Sequence, residues 1–202
     1  MKSFLLLFIG AYTSGSINFS ILLFRILGKE DPRREFSGNA GVTNVYRQGG
    51  YLWASVVLLM DLARAMGIAL ISTSLLQMKL VPWVGLGLIL GNRFPCFHNF
   101  RGGKGVANYL GFTMVIAPVA AGVAALSWVV TYAIFRIPFV GSFLMVFILA
   151  AGTLLACDFS LMATLGVLAT VALIYYGHRR NVVDLVGQKK GGEERRSGTL
   201  TH

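Results

Sequence analysis

The sequence contains few acidic residues, histidines or cysteines. Its 202 residues include 8 Asp and Glu, 3 His and 2 Cys, against 18 Lys and Arg. No two carboxylates stand at metal-ligand spacing, and the sequence has no His/Cys cluster. We therefore expect no metal ion and no other cofactor. This argues against Mg²⁺-dependent phospho-alcohol transferases, which need several acidic ligands. Cys96 and Cys157 are expected on opposite sides of a membrane, so no disulfide is predicted.

Apolar residues, by contrast, are in excess. The chain is 55% hydrophobic and 13% charged, with a mean hydropathy of +0.69. A soluble domain of this length cannot bury so many apolar side chains. We predict a single integral membrane domain over residues 1–186 and a polar C-terminal tail over 187–202. The net charge of +10 would suggest nucleic acid in a soluble protein. Because the cations concentrate in loops, the predicted partner is the lipid bilayer and not nucleic acid.

The apolar runs predict an all-α fold, since a helix needs about 20 apolar residues to cross a bilayer. Five runs are long enough: 4–27, 52–78, 118–135, 138–157 and 160–176. Two more, 82–90 and 105–116, are too short to cross unaided and must pack inside protein. The prediction is about seven transmembrane helices, the two short ones flanking a glycine-rich cytoplasmic loop. Five full helices with a re-entrant pair are the alternative.

Positive charge predicts the orientation of these helices. Nearly all cations fall in 25–47, 93–104, Arg136 and 179–196. By the positive-inside rule these regions are cytoplasmic, which puts the N-terminus outside and the C-terminus in the cytoplasm. The first apolar run has no convincing small-residue cleavage site, so we expect it to be retained as a helix.

The glycine-rich loop, GNRFPCFHNFRGGKGVA at 91–107, is the most informative segment. Closely spaced glycines let backbone N–H groups approach a ligand, and Arg101 and Lys104 add positive charge, which is typical of phosphate sites. The loop is not a Walker A motif, because His98 and Gly105 stand where that motif needs Gly and Ser or Thr. A helix starting near Lys104 would add free N–H groups and its dipole. The alternative is a glycine hinge with membrane-surface cations.

Two other cytoplasmic segments are rich in polar side chains. In SGNAGVTNVYRQGG, at 37–50, glycines alternate with neutral donors, and Arg47 can bind a phosphate in bidentate fashion. An ordinary connecting loop is the alternative. HRRN follows the last predicted helix, and His178 and Asn181 share a face if the helix continues. The alternative role of this HRRN segment is anchoring at the membrane interface.

Polar residues also occur within the predicted helices. Asp61 and Arg64 stand three residues apart on one apolar segment. Because intramembrane charges are costly, we expect them to form an internal ion pair. Ser142 begins a helix on the cytoplasmic side. Its depth is close enough to that of the polar cytoplasmic segments for it to join one site with them.

Taken together, these segments resemble the acyl-phosphate-dependent glycerol-3-phosphate acyltransferases of bacteria, the PlsY-type family. GSINFS is similar to the family's GSIPFS, SGNAGVTNVYR to SGNxGATNVxR, FHNFRGGKGVA to FxxFKGGKGVA, and HRRN to HRxN. The match is collinear and covers most of the chain. The sequence departs from the family at Asn18 in GSINFS, at Phe36, Arg64-Ala65 and Asn92, and at the RLxxGxE ending, where it has Asp184. No histidine is followed five residues later by aspartate, so the signature of other membrane-associated glycerolipid acyltransferases is absent.

The resemblance implies an enzyme that moves a fatty acyl group from acyl phosphate to the sn-1 hydroxyl of glycerol 3-phosphate. Its products would be lysophosphatidic acid and inorganic phosphate. The implied partners are these two substrates and the bilayer, with no obligatory protein partner. The implied location is the bacterial inner membrane, with the active site facing the cytoplasm. A membrane transporter of an organic phosphate is the alternative from another functional class.

Each polar residue has an expected role in this reaction. Phosphate binding is assigned to Arg47, Lys104 and the N–H groups around Gly102 and Gly103. Substrate orientation and donation to the developing oxyanion are assigned to neutral side chains: Ser37, Asn39, Thr43, Asn44, Ser142 and Asn181. The predicted catalytic residues among all of these are His178, Lys104, Ser37 and Asn181. The base is His178 or a substrate phosphate oxygen. Direct transfer is favoured over an acyl-enzyme on Ser37, because no partner base is evident.

Overall fold

The computed structural model describes residues 1–185 and 187, and this part of the chain is helical with no strand. The helices are α1 Lys2–Ser16, α2 Phe19–Ile26, α3 Val42–Leu75, α4 Val81–Arg93, α5 Val106–Ile116, α6 Pro118–Phe135, α7 Pro138–Ala156 and α8 Leu161–Gly177. Short 3₁₀ turns occupy Pro32–Arg34, Met78–Leu80 and Cys96–His98. A last helical segment, Arg179–Leu185, is bent by 45° from α8. Of the predicted tail 187–202, all but residue 187 lies outside the described residues.

Five segments in the described part of the chain are long and apolar enough to cross a membrane. They are Lys2–Ile26, Val42–Leu75, Met78–His98, Pro118–Phe135 and Pro138–Ala156. The bent pair of α8 and Arg179–Leu185 makes a sixth if it counts as one span. The prediction that 82–90 is too short to cross was wrong, because flanking 3₁₀ turns extend α4 to the 21 residues of Met78–His98. The short helix α5 matches its prediction.

The first span is broken, where the sequence predicts one continuous helix. Helix α1 ends at Ser16 and α2 begins at Phe19. Asn18 lies at the break, and its Oδ1 accepts a hydrogen bond from the Ile21 N–H at 3.1 Å, an N-cap that starts α2. Its Nδ2 donates to the Ala40 carbonyl at 3.1 Å. The break therefore docks the first span against the loop that precedes α3.

Helix α3 is longer than predicted. It begins at Val42, so most of the polar segment 37–50 is helical rather than a loop. Polar and glycine-rich composition concealed this helical start. At Gly50 the chain has φ 80° and ψ −178°, which kinks the helix. A residue with a Cβ rarely adopts that backbone conformation, so glycine is required at the kink.

Helix α5 lies at the centre of the bundle, and most of its residues are buried. At 1.5 Å per residue its 11 residues extend only ~16 Å, too short to cross a bilayer. Its backbone is shielded because one apolar cluster covers it from α4, α6, α7 and α8, and another from α1, α3 and α4. At Gly111 a Cβ would lie 2.8 Å from the Leu62 carbonyl oxygen, so α3 and α5 pack with their backbones close together. The other helices thus fix where the N-terminus of α5 lies.

Four polar segments come together at one end of the bundle. Because successive helices run in alternating directions from α3 onward, the segments before α3, before α5, between α6 and α7, and after α8 share this end. Residues from each of them line a single cavity. These are the segments that the charge pattern predicts to lie on one side of the membrane.

Candidate active site

One cavity of about 600 Å³ contains nearly all of the predicted site residues. Those lining it are Ser37, Asn39, Thr43, Asn44, Arg47, Gly103, Lys104, Ser142, His178 and Asn181. Gly102 does not line it. Residues far apart in sequence thus meet because the helix ends converge.

Lys104 is the central cation of the cavity. Its Nζ donates to Asn181 Oδ1 at 2.5 Å, a neutral acceptor. Burial, with the positive charges of Arg93 and Arg47, lowers the pKa of Lys104 to about 8. No carboxylate forms a salt bridge with Lys104 in the described part of the chain. The ammonium group is therefore short of negative charge, and an anion would stabilise it.

The N-terminus of α5 adds backbone donors beside Lys104. Gly105 caps the helix with φ 83°, a conformation suited to glycine. The N–H groups of Val106, Ala107 and Asn108 have no acceptor within the helix, because they belong to its first turn. All three residues line the cavity. Free N–H groups and the helix dipole favour an anion at this point.

The glycines before Lys104 do not act as predicted. The Gly102 N–H donates to the Arg93 carbonyl at 3.2 Å, and the Gly103 N–H donates to the Asn92 carbonyl at 3.0 Å. Neither N–H is free for phosphate. A Cβ at Gly102 would lie 2.0 Å from the Asn92 oxygen. These glycines are needed because the loop packs tightly against the end of α4, and the backbone donors toward the cavity lie at the start of α5 instead.

His178 lies at the bend after α8, 2% exposed. Its Nδ1 is 2.9 Å from the Ile174 carbonyl oxygen. A carbonyl only accepts, so this contact assigns a proton to Nδ1 and leaves Nε2 as the acceptor of a neutral ring. The ring packs edge-on against Phe143 at 5.4 Å. The orientation of the imidazole is thereby fixed from two sides.

Two predicted neutral donors are already engaged. The Asn44 amide Nδ2 donates to the Pro32 carbonyl at 2.5 Å and the Glu35 carbonyl at 3.3 Å. The Ser142 hydroxyl donates to the Pro138 carbonyl at 3.1 Å. Their expected donation to an oxyanion stays a prediction, and it requires each group to exchange a bond to a local backbone carbonyl for one to the substrate.

The remaining predicted side chains of the segment 37–47 are more accessible. Arg47 and Thr43 are exposed on the first turns of α3 and line the cavity. Ser37 and Asn39 are half-buried at its rim, and the Asn39 amide donates to the Ser37 carbonyl at 2.7 Å. This rim presents a guanidinium and two hydroxyl groups to the cavity.

Away from these polar groups the cavity is apolar. Leu58, Leu110, Val129 and Met145 line that part, together with Trp128. A smaller cavity of about 250 Å³ shares Leu58 and Trp128 with the first and extends along α3 and α6. The arrangement can accommodate a ligand with a charged head and a long apolar chain.

A second buried cation, Arg64, forms the predicted ion pair. Its Nη2 lies 2.5 Å from Asp61 Oδ1 and donates to Asn108 Oδ1 at 2.7 Å. Its Nη1 donates to the Ser14 and Ile17 carbonyls at 3.0 and 2.5 Å. Arg64 thus joins α3, α5 and the break between α1 and α2. Its charge is paired with Asp61, although its buried Nε has no hydrogen-bond partner among the described residues.

Several polar residues of the cavity wall were not predicted as site residues. They are Asp61, Asn92, Asn108, Arg136 and Asp184. Asn108 follows Lys104 by four residues, a helical spacing that could have indicated its place. Asn92 and Asp184 stand where the sequence departs from the family pattern, and these departures could also have indicated that the two residues lie at the site.

A family model described as "Glycerol-3-phosphate acyltransferase" matches residues 5–188. Curated proteins named glycerol-3-phosphate acyltransferase are similar over nearly the whole chain. The relative from Methylobacillus flagellatus is 35% identical, covering 94% of this chain and 96% of its own. The relative from Thioalkalivibrio sulfidiphilus is 37% identical, covering 96% and 94%. One from Pseudomonas fluorescens is 38% identical, covering 90% and 95%.

Two solved structures share the fold. Both are crystal structures of PlsY (YgiH), an integral membrane glycerol 3-phosphate acyltransferase. The glycerol 3-phosphate form has a TM-score of 0.85 and 30% identity, covering 92% of this chain and 93% of that one. The lysophosphatidic acid form has a TM-score of 0.83 and 29% identity, with the same coverage.

Proposed function

Because this chain belongs to the glycerol-3-phosphate acyltransferase family and is a multi-pass membrane protein, we propose a specific reaction for it. The enzyme transfers a fatty acyl group from acyl phosphate to the sn-1 hydroxyl of glycerol 3-phosphate, releasing lysophosphatidic acid and inorganic phosphate. The observation that carries the proposal is the two-part cavity. Uncompensated cations lie at its polar end and apolar side chains line the rest. Both substrates carry a phosphate, and one carries a long acyl chain.

Phosphate binding is supported by three features that point at the same volume. Lys104 contributes an ammonium group, Arg47 a guanidinium group, and the first turn of α5 free N–H groups. Together they offset the repulsion between two phosphates and orient the reacting atoms. Because acyl phosphate is already activated, positioning and charge stabilisation supply most of the required catalysis.

The proton of the acceptor hydroxyl has two possible destinations. The Nε2 of His178 is free to accept it, because Nδ1 bonds the Ile174 carbonyl. A substrate phosphate oxygen is the other acceptor. Asn181 orients Lys104 through its Oδ1 and lines the same wall as His178. A comparison of pH–rate profiles between the wild type and His178→Asn separates the two routes, since near-normal turnover of the variant would exclude His178 as an essential base.

Transfer is direct in this proposal. In the part of the chain that is described, the Ser37 hydroxyl makes no hydrogen bond to a histidine, so nothing there activates it as a nucleophile. Ser37 instead lines the rim with Asn39 and Thr43, where it can orient a substrate. Trapping a labelled acyl group on Ser37 would contradict direct transfer.

The proposed reaction uses no metal ion and no cofactor. Among the described residues two carboxylates line the cavity, and since Asp61 is bonded to Arg64, Asp184 is the one left open there. One open carboxylate among several cations is a poor site for Mg²⁺. The cationic loops support a cytoplasmic orientation of the site, in the inner membrane of a bacterial cell.

Phosphate release from acyl phosphate by the purified protein tests the proposal. The assay is run with and without glycerol 3-phosphate, in the presence of EDTA, beside Lys104→Met as the matched variant. We expect release that requires glycerol 3-phosphate, survives the chelator and is lost in the variant. If folded protein releases no phosphate but moves an organic phosphate across liposomes, the function is transport and the proposal is wrong.

A further inference from the structure

Arg33 lies outside the cavity, yet its guanidinium joins the two segments that border it. One edge, Nε and Nη2, forms a bidentate pair with the Asp31 carboxylate, the Nε at 2.9 and 3.0 Å. The other nitrogen, Nη1, donates to the His98 carbonyl at 2.8 Å and the Arg101 carbonyl at 2.9 Å. The Arg33 side chain is 20% exposed. A single side chain thus connects the turn before α3 to the loop before α5.

The carboxylate of Asp31 orients the guanidinium. Because the fork of Arg33 faces Asp31, its remaining N–H groups point at the two carbonyls. The hydrogen bond from Arg33 lowers the pKa of Asp31 below its ordinary value, so the carboxylate is charged at neutral pH. A lysine could bond Asp31 or a carbonyl, but it lacks the planar fork that reaches both sides at once.

The turn that Arg33 contacts is strained. Asn99 and Phe100 both have positive φ, 55° and 53°, although neither is glycine. Such conformations persist only where the surroundings over-determine them. The bonds from Arg33 to the His98 and Arg101 carbonyls bracket these two residues. They supply a constraint that the turn needs.

Each side of this connection leads to a proposed phosphate-binding residue. Pro32 is tied to α3, because its carbonyl accepts from the Asn44 amide at 2.5 Å and the Gln48 amide at 2.9 Å. Arg47 lies on that same helical turn. On the other side, Arg101 precedes Lys104 by three residues in a loop that bonds back to the end of α4.

We propose that Arg33 is a positioning residue that sets the spacing between Arg47 and Lys104, with Asp31 as its orienting partner. The inference rests on the proposed function for its kinetic readout, because glycerol 3-phosphate is the ligand assigned to the two cations. We call the bonds of Arg33 to Asp31 and to the His98 and Arg101 carbonyls the Arg33 clamp. Loss of this clamp lets the strained loop move and separates the two phosphate contacts.

Arg33→Lys is the principal test variant, because it keeps the charge and removes the fork. Kinetics with the purified enzyme should show the KM for glycerol 3-phosphate raised by about tenfold, with kcat changed much less, since displacement of a binding group by about 1 Å can cost that much or more. A merely structural role would lower the amount of active enzyme, and hence the apparent kcat, and leave KM unchanged. Asp31→Asn is the second variant, expected to raise KM by a smaller factor.

Hydrogen exchange gives a readout that does not depend on activity. In Arg33→Lys, peptides covering 95–105 should exchange faster, because the Arg101, Gly102 and Gly103 amides lose part of their protection. Peptides covering 106–116 in α5 should be unchanged. Arg34→Lys is the matched control: Arg34 is 72% exposed in a 3.9 Å surface pair with Glu30, and its replacement should change neither KM nor exchange.

The outcomes separate the clamp from the proposed function. If the wild type shows no turnover that depends on glycerol 3-phosphate, the proposed function fails, and exchange alone still tests the clamp. An active wild type whose Arg33→Lys variant keeps its KM, with unchanged exchange over 95–105, would overturn the clamp. A fall in kcat at constant KM would overturn it as well.

Discussion

Two cations inside this bundle, the buried Arg64 side chain and the half-buried Lys104, have opposite surroundings. Arg64 contacts the Asp61 carboxylate, the Asn108 amide oxygen and two backbone carbonyls. Lys104 bonds only the neutral oxygen of Asn181, and Arg93 and Arg47 lie near enough to lower its pKa. Both side chains are cationic and both lie beside α5. Only one of them has its counter-charge within the described part of the protein.

From this difference we infer that Arg64 is a structural charge, and we propose Lys104 as the binding charge. Leaving a buried cation without a counter-ion is unfavourable, so such a cation persists where a ligand supplies the missing charge. Arg64 has its counter-charge in Asp61 and links three helices through Nη1 and Nη2, and only its buried Nε lacks a partner among the described residues. Lys104 is the group whose environment improves when a phosphate enters. The resemblance to glycerol-3-phosphate acyltransferases and the electrostatics of the site therefore both point to Lys104 as the candidate phosphate-binding residue.

The largest expected effect comes from removing the unpaired charge. Lys104→Met keeps most of the side-chain volume and eliminates the ammonium group. We expect kcat/KM for glycerol 3-phosphate to fall by about 100-fold or more, because a preorganised charge that contacts the reacting phosphates is lost. Steady-state kinetics measures this. Because the residue is not part of a structural ion pair, thermal stability should not fall, and an active Lys104→Met enzyme would contradict the comparison.

Breaking the paired charge should affect stability first. Asp61→Asn leaves Arg64 buried without its carboxylate, which should cost about 3 kcal/mol of folding free energy. For a chain of this length that lowers Tm by about 6–12 °C. In a Cys96→Ser background, which removes the exposed thiol, a thiol-reactive dye that labels buried Cys157 on unfolding provides the measurement. If Asp61→Asn instead abolished turnover at unchanged Tm, Asp61 would belong to the chemistry and not to the scaffold.

A third change gives Lys104 a carboxylate partner, as Arg64 has in Asp61. Asn181→Asp places a carboxylate 2.5 Å from the Lys104 ammonium. The new salt bridge competes with substrate phosphate, so we expect the KM for glycerol 3-phosphate to rise by about tenfold, equivalent to one pKa unit of interaction. Asp184→Asn, which removes the other open carboxylate of the cavity, should lower KM or leave it unchanged. A lower KM in Asn181→Asp would show that Lys104 does not bind the phosphate.

A dependence on pH gives the smallest effect close to neutral pH. With a pKa of about 8, Lys104 carries its charge below pH 8 and loses it as the pH rises. The kcat/KM for glycerol 3-phosphate, which reports the free enzyme, should halve near pH 8 and fall by about tenfold at pH 9. Lys104→Arg should remove this alkaline limb, because a guanidinium stays charged. A limb that is unchanged in Lys104→Arg would assign the titration to another group.

Much of the bundle could be predicted from the sequence, because apolar runs end at clear boundaries. The predicted 118–135 coincides with α6, and the predictions for α7 and α8 differ from the structure by about a residue at their ends. The early part of the chain was harder. The break at Asn18 and the helical start of α3 at Val42 depend on side-chain caps and tertiary docking, which hydropathy does not reveal.

The sequence predicted which residues line the site better than it predicted the hydrogen bonds that they make. Motif residues such as Lys104 and His178 do line one cavity, because glycines and polar residues are unusual between apolar helices. The free N–H groups at the start of α5 follow from the predicted helix near Lys104, but the bonding of the glycine N–H groups before it could not be predicted. Gly102 and Gly103 looked like phosphate donors, but their N–H groups bond carbonyls at the end of α4. The Arg33 clamp was missed because its acceptors are backbone carbonyls about 65 residues away.

The central claim is that the unpaired cation binds the substrate phosphate and the paired one does not. Its most direct test is a calorimetric titration of glycerol 3-phosphate into the wild type, Lys104→Met and Asp61→Asn, each corrected for the folded fraction. We predict that Asp61→Asn binds within about threefold of the wild type and that Lys104→Met binds at least about 30-fold more weakly, a loss of about 2 kcal/mol for a charged hydrogen bond. Equal affinity in the wild type and Lys104→Met would contradict the account.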